Sequence, residues 1–201
     1  MINTGVDDVT RRWTLRLVAG LAAGAVVLSG CSERKEASDT LPGADASPSA
    51  TEAALPPLGP PDLPMPAEAR TQDAAGAEAF VRYYIDLINR TSTVMDAAPL
   101  REFSDGCADC NRIASSTEQA AAAGQDYDGG EITVLGVGEP LIDGLTAELP
   151  IRIDQAEFVV RDSTGEPIDG GSPPYANVLG SAAAFWNSDR QSWLMTYLAF
   201  Q

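Results

Sequence analysis

The chain has 201 residues, in which 29 acidic side chains outnumber 13 basic ones and give a net charge of −16 at pH 7. Such a surface repels phosphate groups, so nucleic acid is excluded as a partner. The sequence has no histidine, which removes the commonest general base, the Ser-His and Cys-His nucleophile pairs and the commonest transition-metal ligand. Residues 73–201 also lack lysine. We therefore expect neither a metal ion nor a cofactor.

Residues 1–30 have the organisation of an export signal. Three arginines near the start (Arg11, Arg12 and Arg16) precede an apolar stretch of twelve residues, Leu17 to Leu28. A membrane-spanning helix needs about 20 residues, so this stretch fits the central region of a signal peptide better. The export route stays open between the general secretory and twin-arginine pathways.

The apolar stretch ends in Leu28-Ser29-Gly30-Cys31, which resembles a bacterial lipobox at all four positions. The resemblance implies that Cys31 becomes the lipidated N-terminus of a mature lipoprotein, anchored on the outer face of the cell membrane. A diacylglycerol-modified cysteine carries two acyl chains, and stable anchoring needs two such signals. The alternative is an ordinary signal peptide with a chance cysteine.

Residues 31–72 are predicted to be the lipidated cysteine followed by a disordered tether. The stretch after Cys31 contains eight prolines with Ala, Ser, Thr and Gly between them, and it has no aromatic residue. Such a composition cannot bury enough apolar surface to offset the entropy of ordering, and it favours partly polyproline II conformations. The tether would let a folded part stand away from the membrane.

Residues 73–201 are predicted to form one domain that begins with helices. Asp73 is a suitable N-cap for a first helix. The apolar residues that follow recur at helical spacing; they are Ala77, Phe80, Val81, Tyr84, Ile85, Leu87 and Ile88. A short helix is expected over Pro99–Phe103, and a third from about Cys107 to Ala123, closed by Gly124.

After Gly129-Gly130 the apolar period changes to that of β-strands. The predicted strands are a first one through Ile132, Val134 and Val137, a long one over Leu145–Arg161, one over Val178–Trp186 and a last one over Gln191–Phe200. A Gly- and Pro-containing loop is expected before Tyr175. Helices followed by an antiparallel meander indicate an α+β fold, with the helices packed on a curved antiparallel sheet of about four strands.

The segment Ala79–Asn89, together with Cys107-Ala108-Asp109-Cys110, resembles an actinobacterial lipoprotein family with a C-terminal domain of unknown function. The resemblance covers nearly the whole chain and implies no established activity. The order of helices and curved sheet also resembles the nuclear transport factor 2-like, or cystatin-like, cone.

Cys107 and Cys110 form a CxxC motif. A zinc site is ruled out because it needs three or four ligands and no further histidine or cysteine accompanies the pair. A thioredoxin-like motif would follow a strand in a βαβ unit, whereas this pair follows a predicted helix and turn. We therefore predict a structural disulfide, with a redox role left open.

Acidic and aromatic side chains suggest two further sites. Asp126-Tyr127-Asp128-Gly129-Gly130-Glu131 hints at calcium but lacks the spacing of an EF-hand loop, so a solvated turn is preferred. Candidates for lining the pocket of a cone are Tyr83, Tyr84, Asp86, Trp186, Trp193 and Tyr197, with Asp86 or Asp154 as the acid. The preferred interpretation is that these aromatic residues are core and the acids are surface.

The sequence thus favours a non-enzymatic, membrane-anchored lipoprotein whose extracytoplasmic domain is a binding or scaffold module. Its partners would be the membrane, through lipidated Cys31, and an envelope protein or small apolar ligand. The alternatives are a small-molecule enzyme of the cone fold with an Asp/Tyr pocket, and a carrier of an apolar ligand. The sequence does not define the oligomeric state.

Overall fold

The computed structural model describes residues 56–201, so the predicted export signal and Cys31 lie outside the described residues. Three α-helices precede eight β-strands. The helices are α1 (Ala74–Val94), α2 (Ala98–Glu102) and α3 (Ala108–Ala122). The strands are β1 (Asp126–Gly129), β2 (Ile132–Val137), β3 (Leu141–Asp143), β4 (Thr146–Gln155), β5 (Phe158–Arg161), β6 (Pro167–Ser172), β7 (Tyr175–Asn187) and β8 (Ser192–Phe200). Within residues 56–201, no helix combines the length and apolar character needed to cross a membrane.

Helix α1 forms as predicted. The Asp73 carboxylate accepts a hydrogen bond from the Gly76 amide at 2.7 Å, which satisfies one of the free amides of the first turn. The apolar stripe faces the core, and Phe80 and Leu87 are fully buried. The helix ends at Met95, whose left-handed backbone closes the last turn.

The strands form two antiparallel sheets. The larger sheet has five strands in the order β2-β4-β7-β8, with β3 also pairing with β4. The smaller sheet has three strands in the order β1-β5-β6. The predicted α+β class with helices packed on antiparallel strands is confirmed, and the larger sheet has one strand more than the expected four or so.

One face of the five-stranded sheet packs on the helices and the opposite face does not. Along β4, Leu149, Ile151 and Ile153 are buried, whereas the residues between them, Pro150 and Arg152, are exposed. This alternation follows from the two-residue period of a strand. We call the exposed side of this sheet the outer face.

The prediction of one strand over Leu145–Arg161 is wrong, because the chain leaves the first sheet after Gln155. The Ala156 amide donates to the Glu131 carbonyl at 2.9 Å, and the Gly130 amide donates to the Glu157 carbonyl at 2.7 Å. These bonds redirect the chain into β5 of the smaller sheet. The expected Gly/Pro loop before Tyr175 contains strand β6, which pairs with β5.

The tether predicted to reach residue 72 differs from the structure over residues 58–72, which we call the N-terminal strap. The strap contains a short 3-10 helix, Ala67–Arg70, and it buries Met65 and Ala69 against the core. Its backbone is held by Tyr83, whose hydroxyl donates to the Leu63 carbonyl at 3.3 Å. The ordered domain therefore starts well before the predicted boundary at Asp73, because apolar residues among the prolines find partners elsewhere in the chain.

Two arginines fasten the strap and the residues just before it. The Arg90 guanidinium lies 2.8 Å from the Asp62 carboxylate. The Arg70 guanidinium donates to the carbonyls of Pro56, Arg190 and Gln191 at 2.6, 3.3 and 3.4 Å. The chain thus enters the domain beside the turn that joins β7 to β8.

Candidate functional site

The structure does not assemble the predicted cone pocket. Four of its aromatic candidates are buried in the core, with exposed fractions of 0% for Tyr84 and Trp193, 2% for Tyr83 and 6% for Trp186. Asp86 lies on the exposed side of α1. Because these side chains fill the space between helices and sheet, they do not line a common opening.

The buried aromatic residues satisfy one another and nearby carbonyl groups. The Tyr84 hydroxyl donates to the Leu100 carbonyl at 3.2 Å, and burial raises the pKa of Tyr84 to about 12. Burial, and then the Glu102 carboxylate, raise the pKa of Tyr83 well above its usual value. Trp186 and Trp193 pack edge to face with ring centres 5.3 Å apart. These are the contacts of a filled core.

Within the described residues, neither candidate acid is hydrogen-bonded to a tyrosine hydroxyl, although Asp154 and the exposed Tyr175 border the same shallow depression. Partial burial raises the pKa of Asp86, which borders a shallow depression together with Arg82, Asn89 and Glu131. The Asp154 carboxylate accepts from the Asn177 amide at 2.8 Å. That hydrogen bond supports the left-handed backbone of Asn177, so the Asp154 carboxylate stabilises the local chain conformation.

The predicted Cys107–Cys110 disulfide is present, with the two Cα atoms 5.2 Å apart. Both cysteines are buried, at 0% and 1% exposure. Cys107 is also the N-cap of α3, because its sulfur accepts from the Cys110 amide at 3.2 Å. The disulfide therefore fixes the first turn of α3 inside the core.

The acidic segment from Asp126 to Glu131 is not the solvated turn we expected, since its first four residues form strand β1. Asp128 is held by Arg161, with 2.6 Å between their charged atoms. Nowhere in residues 56–201 do three acidic, cysteine or histidine side chains converge as metal ligands.

The outer face of the five-stranded sheet carries exposed apolar side chains that no helix of the described chain covers. Leu141, Leu179, Phe185 and Tyr197 have exposed fractions of 68%, 65%, 39% and 49%. Tyr197 was a pocket candidate, and it lies on this outer face. The outer face could not be predicted from the sequence. The alternation of apolar and polar residues distinguishes the two sides of a strand, but it does not show which side no helix will cover.

A groove crosses the outer face along one row of paired residues. Leu141 pairs with Glu148, Glu148 with Ala183, and Ala183 with Tyr197, so the row runs across β3, β4, β7 and β8. The groove has a volume of about 530 Å³ and is open to solvent. Its lining includes Pro150 and the small residues Ser181 and Ala183, together with two carboxylates, Glu139 and Glu148.

The comparisons with known proteins bear only on the fold. No protein-family model matches the chain, and no curated protein matches it. Among solved structures it is similar to the intermembrane-space region of the chloroplast protein ARC6, at 17% identity and a TM-score of 0.47, covering 65% of this chain and 97% of that one. It is also similar to a designed NTF2-like protein, at 8% identity and a TM-score of 0.39, covering 63% and 96%.

A third similar structure is a cystatin-like domain of unknown function from Nostoc punctiforme, at 18% identity and a TM-score of 0.35, covering 65% of this chain and 77% of that one. At these scores the likenesses assign no activity. The class of protein is therefore defined by the fold itself, as an α+β domain with helices on one face of an open antiparallel sheet. The resemblance to an actinobacterial lipoprotein family stays a prediction.

Proposed function

We propose that this protein is a non-enzymatic, lipid-anchored binding module on the outer side of the cell membrane, and that it binds a protein partner through the outer face. One observation carries the proposal: the space between helices and sheet is filled, whereas the outer face exposes Leu141, Leu179, Phe185 and Tyr197. The concentration of exposed apolar side chains on one uncovered sheet face supports an interaction surface there.

The filled interior supports a binding role over the two alternatives. An enzyme of the cone fold would need a carboxylate beside a tyrosine hydroxyl, and a carrier would need a large apolar cavity. In the part of the chain that the structure describes, the hydroxyls of Tyr83 and Tyr84 instead donate hydrogen bonds to backbone carbonyls.

The lipid anchor is supported by the Leu28-Ser29-Gly30-Cys31 sequence alone. Two acyl chains on Cys31 would hold even an acidic protein at a membrane without a basic patch. A domain held in this way needs no transmembrane helix, and its outer face stays free to meet a partner on the same side of the membrane.

Site-specific photo-crosslinking in intact cells tests the proposal. Tyr197 is replaced in the full-length chain by p-benzoylphenylalanine, an aromatic residue of similar shape, and cells are irradiated. We expect one discrete adduct of higher mass than the chain itself. The matched control is the same replacement at Tyr175, which is 47% exposed but lies at the far end of β7.

An adduct that forms at Tyr197 and not at Tyr175 supports the outer face as the binding surface. Failure to form any discrete adduct at Tyr197, or equal labelling at both positions, would show that the outer face binds no specific protein.

A further inference from the structure

We infer that the occupant of the groove is an extended protein segment that carries a lysine or arginine next to an apolar side chain. This inference rests on the proposed function and names the chemistry of the partner. The charges within the groove, the charge of the whole domain and the shape of the groove support it.

The two carboxylates of the groove have no basic partner within residues 56–201. Glu139 and Glu148 are both exposed, and neither takes part in an ion pair there. Six of the arginines are by contrast paired with carboxylates elsewhere; they are Arg82, Arg90, Arg101, Arg112, Arg161 and Arg190. Other carboxylates, such as that of Glu157, also lack an ion pair within residues 56–201, and what sets Glu139 and Glu148 apart is that both line a groove with exposed apolar side chains.

The net negative charge of the domain favours an occupant with positive charge. Residues 56–201 contain 22 acidic residues against eight arginines and no lysine. A second copy, an anionic lipid surface or an acidic protein would be repelled, whereas a cationic partner is attracted over a distance set by ionic strength. Arg152 also lies on the outer face, four residues from Glu148 along β4, which is a separation of about 13 Å. It stands outside the residues that line the groove.

The shape of the groove selects an extended segment. Leu141 and Tyr197 stand at the two ends of the row, with Glu148 and the small residue Ala183 between them. A long basic side chain can lay its apolar stem on such a surface and direct its charged end to a carboxylate. An apolar neighbour of that residue would contact Tyr197. The groove is too open to enclose a small molecule.

The test combines the benzoylphenylalanine at position 197 of the full-length chain with charge-neutralising substitutions. In one variant Glu139→Gln and Glu148→Gln remove both groove charges at constant shape. The matched control, Glu157→Gln with Glu166→Gln, removes two exposed carboxylates that have no ion pair within residues 56–201 and lie outside the groove. We expect the adduct yield at low expression to fall at least about tenfold in the groove variant and to stay within about twofold in the control.

Mass spectrometry of the adduct supplies a second readout. We expect the crosslinked peptide of the partner to contain a lysine or arginine within three residues of the attachment point. An adduct that forms equally in the groove variant and the control would overturn the cationic occupant and leave the proposed binding function standing. An adduct of twice the mass of the chain would identify a second copy as the occupant and overturn the inference in the same way. If the chain with benzoylphenylalanine at position 197 and both glutamates intact forms no adduct, the proposed function itself is wrong.

Discussion

The indole nitrogen of Trp193 donates a hydrogen bond to the Thr71 carbonyl at 2.9 Å, across 122 positions of sequence. This contact joins the last strand of the sheet to the strap that precedes the first helix. Trp193 is fully buried, so the strap completes the environment of one of the largest core side chains. The domain is therefore a unit of strap, helices and sheet.

A chain that begins at Asp73 should be less stable than one that begins at Pro56. Removing the strap takes away the buried contacts of Met65 and Ala69 and leaves the Trp193 indole without its acceptor. We expect the free energy of unfolding to fall by at least about 3 kcal/mol. Urea denaturation of both chains measures the difference, and coincident midpoints would mean that the strap contributes nothing.

Replacing Gly76 with alanine should destabilise the domain although alanine is the better helix former. A methyl group at Gly76 would overlap the Thr71 carbonyl oxygen, the group that accepts from Trp193. Overpacking of this kind costs about 1–3 kcal/mol, which exceeds the gain of about 1 kcal/mol in helix propensity. Thermal unfolding followed by circular dichroism checks the result.

The matched control for that substitution is Gly136→Ala in β2. A methyl group there would find its nearest heavy atom, a guanidinium nitrogen of Arg152, at 4.0 Å. We expect the control to be neutral or slightly stabilising, since glycine weakens a strand. Equal destabilisation by both substitutions would contradict the account of Gly76.

Stability should decline in alkaline solution through the buried tyrosines. Burial raises the pKa of Tyr84 from its usual 10 to about 12, so the fold favours the neutral phenol. Its contribution is complete below pH 10, where both states hold the proton, and it is lost as the pH rises from 10 to 12. The loss amounts to about 2 kcal/mol at pH 12.

Tyr84→Phe should reduce this pH dependence, leaving the part due to Tyr83, and should cost about 1 kcal/mol at neutral pH through the lost bond to Leu100. Tyr175→Phe serves as the control because Tyr175 is exposed. Urea midpoints measured between pH 8 and 12 give the comparison, and parallel curves for Tyr84→Phe and the parent would count against it.

The disulfide should act as a structural link that resists reduction until the protein unfolds. Replacing Cys107 and Cys110 together by serine is expected to cost about 2 kcal/mol, the value for closing so short a loop. Serine at position 107 can still cap α3, so the change isolates the covalent link. Because both sulfurs are buried, alkylation in the presence of a thiol reductant should follow the rate of unfolding. Rapid alkylation of the folded protein would instead favour a redox role.

Cys31→Ser should release the protein from the membrane, since it removes the only residue that the lipobox resemblance marks for acylation. Fractionation of cells that express the full-length chain measures the change. The control is Ser29→Ala, which keeps a small residue at that lipobox position and should remain in the membrane fraction. If the Cys31→Ser variant stays in the membrane fraction as firmly as the parent, the anchor is not at Cys31.

Much of the fold could be predicted from local sequence because the responsible interactions are local. The bond from Asp73 to the Gly76 amide spans three residues, and the apolar stripe of α1 follows from the helical period. The burial of Leu149, Ile151 and Ile153 on one side of β4 likewise follows from the two-residue period of a strand. Such features depend only on residues close together in the sequence.

The features that escaped prediction depend on partners far along the chain. The break after Gln155 is produced by Glu131 and Gly130, which redirect the backbone into the second sheet. The proline-rich strap is ordered through residues more than one hundred positions away, such as Gln191 and Trp193. The groove could not be predicted either, because Leu141 and Tyr197 lie on the same surface only when the four strands pair in this register.

The hydrogen bonds of Arg70 also determine where a mechanical force would act. Any tension carried by the preceding chain reaches the domain at Pro56 and passes through the Arg70 guanidinium to the carbonyls of Arg190 and Gln191. The strap is bound to α1 as well, through Asp62 and Arg90. Tension at the start of the domain would therefore load contacts to both a helix and the β7–β8 turn.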